Sequence, residues 1–245
     1  MNCKNCGHIV QDTYCGHCGQ KVNVDRITFS SLLNELTESV FQVNKGFFYT
    51  LINLFVSPGK SIREYLEGHR KKHFKPIAYL LTFSTVYFIV TQLSGQHTWM
   101  DDLISGFAQG GSGKEEIPAI LNWFAKNYAY TTLLLLPVFS FASYLSFLGL
   151  EKNYFEHLVI NSYATGQQAI IYSIFALLKI NFSGEVLEVL PLVIAVSYTF
   201  WVYWQVFDQG NRLIVVMRSV LTYVLHLILS FGILILLLGI TEIIK

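Results

Sequence analysis

Four cysteines near the start of the chain are the residues whose spacing points most directly to chemistry. They form two Cys-x2-Cys pairs, in the stretches "CKNCGH" and "CGHCGQ", and a glycine follows each pair. Two such pairs complete a tetrahedral shell of four sulfurs at about 2.3 Å from one ion. The glycines allow the sharp turns, often at positive φ, that aim backbone amides at the sulfurs. We predict a structural zinc ribbon over residues 1–24, with the metal bound by Cys3, Cys6, Cys15 and Cys18.

Other uses of these cysteines stay open. Disulfides need an oxidising compartment, and the polar first twenty residues do not resemble a secretory signal peptide. A redox Cys-x2-Cys normally opens a helix in a βαβ unit, and an iron–sulfur cluster is the remaining alternative. We interpret His8 and His17 as surface residues, because four thiolates already fill the shell. A closed structural site leaves no position for catalysis, so no chemistry is expected in this head.

A second group of polar residues lies within segments that are otherwise apolar. The group consists of Asn161, Gln167 and Gln168 in the third predicted span and His226 in the last one. Such residues normally face protein or a water-filled cavity. We favour hydrogen bonding between helices over a polar cavity, and a neutral, hydrogen-bonded imidazole over a functional His226.

The composition indicates an integral membrane protein. The 245 residues are 53% hydrophobic and only 13% charged, and the mean hydropathy is +0.45. A formal net charge of +1 gives no reason to expect nucleic acid as a partner. The predicted fold class is all-α, a polytopic membrane helical bundle of about five spans in a membrane domain over residues 77–245. The spans are predicted at 77–94, 128–150, 158–179, 187–207 and 215–240.

Residues 25–76 are predicted to form an amphipathic, interfacial helical segment between the ribbon and the first span. Within it, residues 28–56 could lie on the membrane, dip into it or pack on cytosolic helices. A basic cluster precedes the first span. Topological anchoring is the favoured role of this cluster, and binding of anionic headgroups is the alternative. The cations concerned are Arg70, Lys71, Lys72 and Lys75.

Charge placement predicts the orientation of the chain in the membrane. With five spans and the head inside, thirteen of the seventeen Lys and Arg residues fall on the cytoplasmic side. This asymmetry satisfies the positive-inside rule. We therefore predict a cytoplasmic N-terminus and a C-terminus on the outside.

Two stretches of the sequence resemble known families. The order "YCGHCGQK", "SPGKSIREYLEGHRKKHFKPIAYLL" and then apolar spans resembles an uncharacterised bacterial family of multi-pass membrane proteins with a four-cysteine zinc ribbon. That resemblance implies a bacterial inner-membrane location and four metal-binding cysteines, and it carries no activity. More distantly, the five-span layout, with "YFEHLVINSYA" and "VFDQGNRLIVVMRSVLTYVL", resembles the Yip family of membrane-trafficking proteins.

These observations favour a protein that is not an enzyme. The sequence has no Gly-rich phosphate loop, no His-Glu-x-x-His, no Gly-x-Ser-x-Gly and no pair of intramembrane aspartates. The first hypothesis is a membrane scaffold or adaptor whose ribbon docks a cytosolic protein. A small-solute or ion transporter is the second hypothesis, and an intramembrane enzyme acting on lipid is the third.

Overall fold

The computed structural model describes residues 1–32, 46–98, 101, 105–106, 123–124, 126–182, 184–208 and 211–243. In these ranges the secondary structure is helical apart from two isolated bridges in the head, which confirms the all-α prediction. The predicted interfacial segment 28–56 is described at 28–32 and 46–56, and its middle lies outside the described residues. The helices are α1 (Gly46–Val56), α2 (Pro58–Glu67), α3 (Pro76–Ser94), α4 (Tyr128–Ser146), α5 (Tyr154–Leu178), α6 (Glu185–Val206) and α7 (Arg212–Ile243).

Four of these helices are long and apolar enough to cross a membrane. They are α3, α4, Val186–Val206 of α6 and Arg212–Leu236 of α7. The span predicted at 158–179 lies in α5, which has 25 residues but is too polar to join that group. Four of the five predicted spans are thus supported by length and composition, and the fifth is not.

Proline, glycine and asparagine set the helix ends. Pro58 and Pro76 occupy the first turns of α2 and α3, where the missing N–H costs no hydrogen bond. Gly68, with φ of 110°, ends α2 in the left-handed region that glycine tolerates. At α5, Asn153 and Glu156 form a capping box, in which each side chain accepts the other residue's backbone N–H.

Helix α5 is the centre of the bundle and packs against α3, α4 and α6. Glycine at position 166 permits its close approach to α3, because a Cβ there would lie 2.5 Å from the Tyr79 ring. Three polar side chains of α5, those of His157, Asn161 and Gln167, are fully buried against protein. The composition of α5 is therefore that of an internal helix rather than a lipid-facing one.

The short helices α1 and α2 close one end of the bundle. Helix α2 lies on the end of α6, where the Gly59 N–H donates to Gln205 Oε1 at 3.0 Å. Arg63 forms an ion pair with Asp208 at 3.2 Å, just beyond α6. Helix α1 buries Leu54 completely against this assembly, whereas the other face of α1 is exposed and apolar. At this end α3 and α5 begin and α4 and α6 finish, and the cysteine-containing head also packs here.

Candidate metal centre and membrane-domain cavity

The four cysteine sulfurs lie together in the head. Their Sγ atoms are all within 4.8 Å of one another, and the distances Cys3–Cys18 and Cys6–Cys15 are 3.6 and 3.5 Å. Sulfurs at the corners of a tetrahedron around zinc are separated by about 3.8 Å. The arrangement can therefore hold one thiophilic ion in a shell of four thiolates.

Two equivalent turns build this centre, as the repeated Cys-x2-Cys-Gly pattern predicts. In the first turn the Gly7 N–H donates to the Cys3 carbonyl at 2.8 Å, and in the second the Gly19 N–H donates to the Cys15 carbonyl at 2.7 Å. Gly7 and Gly19 have φ of 77° and 70°, which side chains with a Cβ rarely adopt. Hydrogen bonds from the backbone N–H groups of Cys18 and His17 lower the pKa of Cys15 to about 6, which favours its thiolate, whereas burial and the neighbouring thiols raise the pKa of Cys6.

The two histidines of the head are exposed, as expected of surface residues. The rings of His8 and His17 stack with their centroids 4.0 Å apart. Together with Cys6 they form a second group close enough to hold an ion. Cys6 belongs to the four-sulfur group as well, so the two arrangements compete for one ligand. The four thiolates fill all four positions of a tetrahedral shell, whereas Cys6 and the two histidines supply only three ligands.

The head docks on the loop between α2 and α3 through Gln20, a residue that the sequence analysis did not single out. Gln20 is 6% exposed, and its Nε2 donates to the Gly68 carbonyl at 2.8 Å. Its Oε1 accepts the backbone N–H groups of Arg70 and Lys71 at 3.1 and 3.0 Å. One amide side chain thereby satisfies three backbone groups of the loop. No spacing rule marks a glutamine for this role, because its partners lie about fifty residues further along the chain.

A second contact fastens the segment after the ribbon to the start of α5. The Arg26 guanidinium donates to both carboxylate oxygens of Glu156, at 3.0 and 2.8 Å, and also to the Glu151 carbonyl. This pairing raises the pKa of Arg26. Asn153 adds a hydrogen bond to the Ile27 carbonyl at 3.2 Å. The sequence does contain a signal for the α5 half of this site, since Asn-x-x-Glu is a capping-box pattern.

The basic cluster before α3 is partly engaged by the protein itself. Lys72 forms an ion pair with Glu64 at 2.9 Å, which lowers the pKa of Glu64. Arg70 donates to the Asp25 carbonyl at 2.7 Å. His73 is buried, and burial, together with the Lys72 charge, lowers its pKa to about 4. Several of these cations thus have partners within the chain. Binding of anionic lipid by Arg70, Lys71, Lys72 and Lys75 remains a prediction.

Two of the polar residues predicted in the membrane domain serve to join helices. The Tyr203 hydroxyl donates to Asn161 Oδ1 at 2.7 Å, and Asn161 Nδ2 donates to Ser143 Oγ at 2.8 Å, so Asn161 links α4, α5 and α6. Gln167 accepts the hydroxyl of Tyr79 on α3. Both amides are fully buried, and neither lines the cavity that Gln168 and His226 line. The favoured interpretation, hydrogen bonding between helices, describes these two residues.

The other two polar residues, Gln168 and His226, line a cavity of about 620 Å³ among α3 to α7. Its mouth lies at the end of the bundle opposite the head, where Lys179 and Glu188 pair at 2.6 Å. Gln168 lies eleven residues before Lys179 on α5, so the cavity reaches about 16 Å into the bundle. The structure thus divides the predicted polar group into two pairs with different surroundings. Tyr223 also lines the cavity beside His226 and was not singled out from the sequence.

Comparison with known proteins adds one finding on the family of the chain. Residues 44–88 match the family model described as "Protein of unknown function (DUF3667)". The match covers α1, α2, the basic loop and the first part of α3, and it includes the loop on which the head docks through Gln20. It agrees with the expected uncharacterised family, whereas a bacterial origin and the resemblance to the Yip family are not shown. No curated protein and no solved structure matches the chain.

Proposed function

We propose that the four cysteines of the head bind one structural zinc ion. The sulfur separations, the two positive-φ glycines and the reduced compartment expected for the head all support zinc. The only buried apolar side chains of this head of some 24 residues, apart from Cys3 and Cys15, are Val10 and Val22, so metal binding supplies most of its folding free energy. Elemental analysis of the purified protein tests this, with one zinc per chain expected and none in a variant that carries Cys3→Ser and Cys15→Ser. Absence of zinc from the unaltered protein, or iron in its place, would overturn the assignment.

We propose that α5 is a fifth span and that the head lies in the cytoplasm of the cell, at its inner membrane. Helix α5 begins at the head end of the bundle and finishes beside the cavity mouth at the opposite end, so it runs the full length of its neighbours. Five spans place the termini on opposite sides, and most Lys and Arg residues then lie inside. Reporter fusions at residues 1 and 245 test the topology. A reporter at residue 1 that is active outside the cell would contradict it.

We propose that the membrane domain binds and passes a small molecule, and that the zinc ribbon is a structural clamp on its cytoplasmic end. The observation that supports this is the cavity of about 620 Å³, which lies within the usual size range of ligand sites and has polar groups at its inner end. The clamp role is supported by Gln20 of the head and by Arg26 in the segment after it, since both form hydrogen bonds with the rest of the chain.

Cysteine accessibility tests the cavity with a matched pair of positions at the same depth on α4. Leu135 lines the cavity, whereas its neighbour Leu134 is 58% exposed on the outer surface of the bundle. A charged, membrane-impermeant thiol reagent added from outside should label Leu135→Cys and leave Leu134→Cys unmodified. The natural cysteines all lie in the head, on the other side of the membrane. Equal labelling of the two variants, or none at position 135, would contradict a water-accessible cavity.

A scaffold or adaptor is the second candidate function, and exposed apolar residues on the head favour it. Ile9 is 80% exposed and Tyr14 is 60% exposed, although both belong to a folded unit. If they dock a cytosolic protein, the double variant Ile9→Ser and Tyr14→Ser should lose that partner in co-purification while it retains zinc. An unchanged set of co-purified proteins would exclude these two residues from partner binding.

A further inference from the structure

The inner end of the cavity offers hydrogen bonds but no charge. Gln168 Nε2 lies 3.0 Å from the Ala195 carbonyl, 2.8 Å from Thr199 Oγ1 and 3.4 Å from the Tyr223 hydroxyl, and its two hydrogens can be donated to two of these oxygens at a time. A tyrosine hydroxyl that faces an N–H donor in this way can donate its own hydrogen to a ligand oxygen. His226 Nδ1 lies 3.3 Å from Ser230 Oγ on the same helix, so Nε2 is the ring nitrogen that can meet a ligand. These groups favour a ligand that presents oxygen acceptors.

Among the cavity-lining residues that the structure describes, charged side chains lie only at the mouth. Among the lining residues, Lys179 and Glu188 are the charged ones, and they neutralise each other at 2.6 Å. An anionic or cationic group that reached Gln168 would therefore have no counter-ion, and its desolvation would not be compensated. The charge distribution selects an uncharged ligand.

The walls of the cavity are aromatic on one side and aliphatic on the other. Tyr87 and Tyr172 lie 5.6 Å apart between ring centroids on the α3–α5 side, and flat rings of this kind pack well against a planar ligand group. On the side of α6 and α7, Leu192 and Leu227 line the cavity and are more than half exposed. An apolar chain that leaves the cavity between α6 and α7 would thus pass directly into lipid.

We propose that this cavity binds a neutral amphiphile, with a planar head that carries carbonyl oxygens and an apolar tail. The planar head packs against the aromatic wall with its oxygens at Tyr223 and His226, and the tail extends between α6 and α7. This inference rests on the proposed ligand-binding function and specifies its substrate class.

Three probes of similar shape test the proposal in nanodiscs, by native mass spectrometry with titration of each probe. Decylubiquinone is neutral and has carbonyl oxygens, decylbenzene lacks them, and 4-decylbenzenesulfonate is anionic. One decylubiquinone should bind per chain, about tenfold more tightly than decylbenzene, because two neutral hydrogen bonds are at stake. The sulfonate should bind at least as weakly as decylbenzene.

Variants locate the binding site. Tyr223→Phe should weaken decylubiquinone binding about fivefold and leave decylbenzene unchanged. Tyr130→Phe is the matched control, since Tyr130 is 62% exposed and does not line the cavity. Ala176→Trp fills the cavity and should abolish binding of both neutral probes. Tighter binding of the sulfonate than of decylubiquinone, or equal effects of the two tyrosine variants, would overturn the proposal.

The accessibility assay separates failure of this inference from failure of the proposed function. If Leu135→Cys is labelled but decylubiquinone binds no better than decylbenzene, the ligand class is wrong and the cavity function stands. If Leu135→Cys is not labelled, both proposals fail together.

Discussion

Replacement of Gln20 by alanine should release the head from the membrane domain. The substitution removes three hydrogen bonds, to the Gly68 carbonyl and to the Arg70 and Lys71 N–H groups, at a site where Gln20 is 6% exposed. Each neutral hydrogen bond contributes about 0.5–1.5 kcal/mol net, and water can partly replace those near the surface. We therefore expect a loss of about 2–3 kcal/mol, or roughly 30- to 150-fold in the docking equilibrium.

Hydrogen–deuterium exchange of the zinc-loaded protein in nanodiscs measures this effect directly. The backbone amides of Arg70 and Lys71 donate to Gln20 Oε1, so they should exchange faster by about the same factor in Gln20→Ala. Gln20→Glu offers carboxylate oxygens to the same two amides but cannot donate to Gly68. It should therefore retain most of their protection.

The control is Gln11→Ala, because Gln11 is an exposed glutamine of the same head. It should leave the exchange of both amides unchanged. If the two amides in Gln20→Ala exchange within twofold of the unaltered protein, Gln20 does not hold the head on the loop, and the clamp role assigned to the ribbon is wrong.

Three further predictions concern stability. Glu156→Gln should lower the free energy of unfolding by about 1 kcal/mol, because Arg26 loses its ion pair while the amide can still accept the Asn153 N–H. Glu156→Ala should lower it by about 2 kcal/mol, because the ion pair and the capping hydrogen bond are both lost. Gly59→Ala should cost about 2–3 kcal/mol, since a Cβ there would lie 2.2 Å from the Cβ of Gln205 and 2.6 Å from its backbone carbon. Acidification from pH 7 to pH 5 should lower the free energy of unfolding by about 2 kcal/mol through His73. The pKa of His73 in the folded protein, about 4, lies below its ordinary value near 6.5. The unfolded chain binds more protons between these two pKa values, so stability is present above pH 6.5 and is lost as the pH falls. All three are measured by SDS-induced unfolding or thermal unfolding of the purified protein.

Each of these predictions has its own comparison. Gly232→Ala is the control for position 59, because a Cβ at Gly232 meets nothing within 4 Å. Equal losses for the Gln and Ala variants of Glu156 would mean that the capping hydrogen bond contributes nothing. For the pH effect, His73→Gln should flatten the stability profile between pH 7 and pH 5. An unchanged slope in that variant would assign the effect to other groups.

Local sequence patterns predicted the parts of the protein whose structure depends on neighbours in the chain. The Cys-x2-Cys-Gly repeat predicted two tight turns with converging sulfurs, and the structure brings Cys3, Cys6, Cys15 and Cys18 together. Apolar runs predicted five spans, and four of them are helices that are long and apolar enough to cross a membrane. In each case a few consecutive residues contain all the information that is needed, because turn geometry and hydropathy act over short distances.

The polar residues of α5 show that local sequence patterns do not predict the surroundings of a buried side chain. Gln167 and Gln168 are adjacent and chemically identical, and about 100° of helical rotation separates their directions. Gln167 meets Tyr79 on α3, whereas Gln168 lines the cavity with His226. Hydrogen bonding between helices therefore describes both residues, since Gln168 also contacts Thr199 on α6, and the cavity alternative applies to Gln168 alone. Only the placement of neighbouring helices distinguishes the two.

The sequence alone determined that this is a helical membrane protein with a four-cysteine head, because composition, apolar length and cysteine spacing are properties of short stretches. Tertiary structure decided how the head is used and where a ligand could bind. Gln20 meets its partners 48 residues or more away, and Arg26 meets Glu156 across 130 residues. Such contacts depend on how whole helices pack, and the packing that brings them together also leaves the cavity between α3 and α7 unfilled.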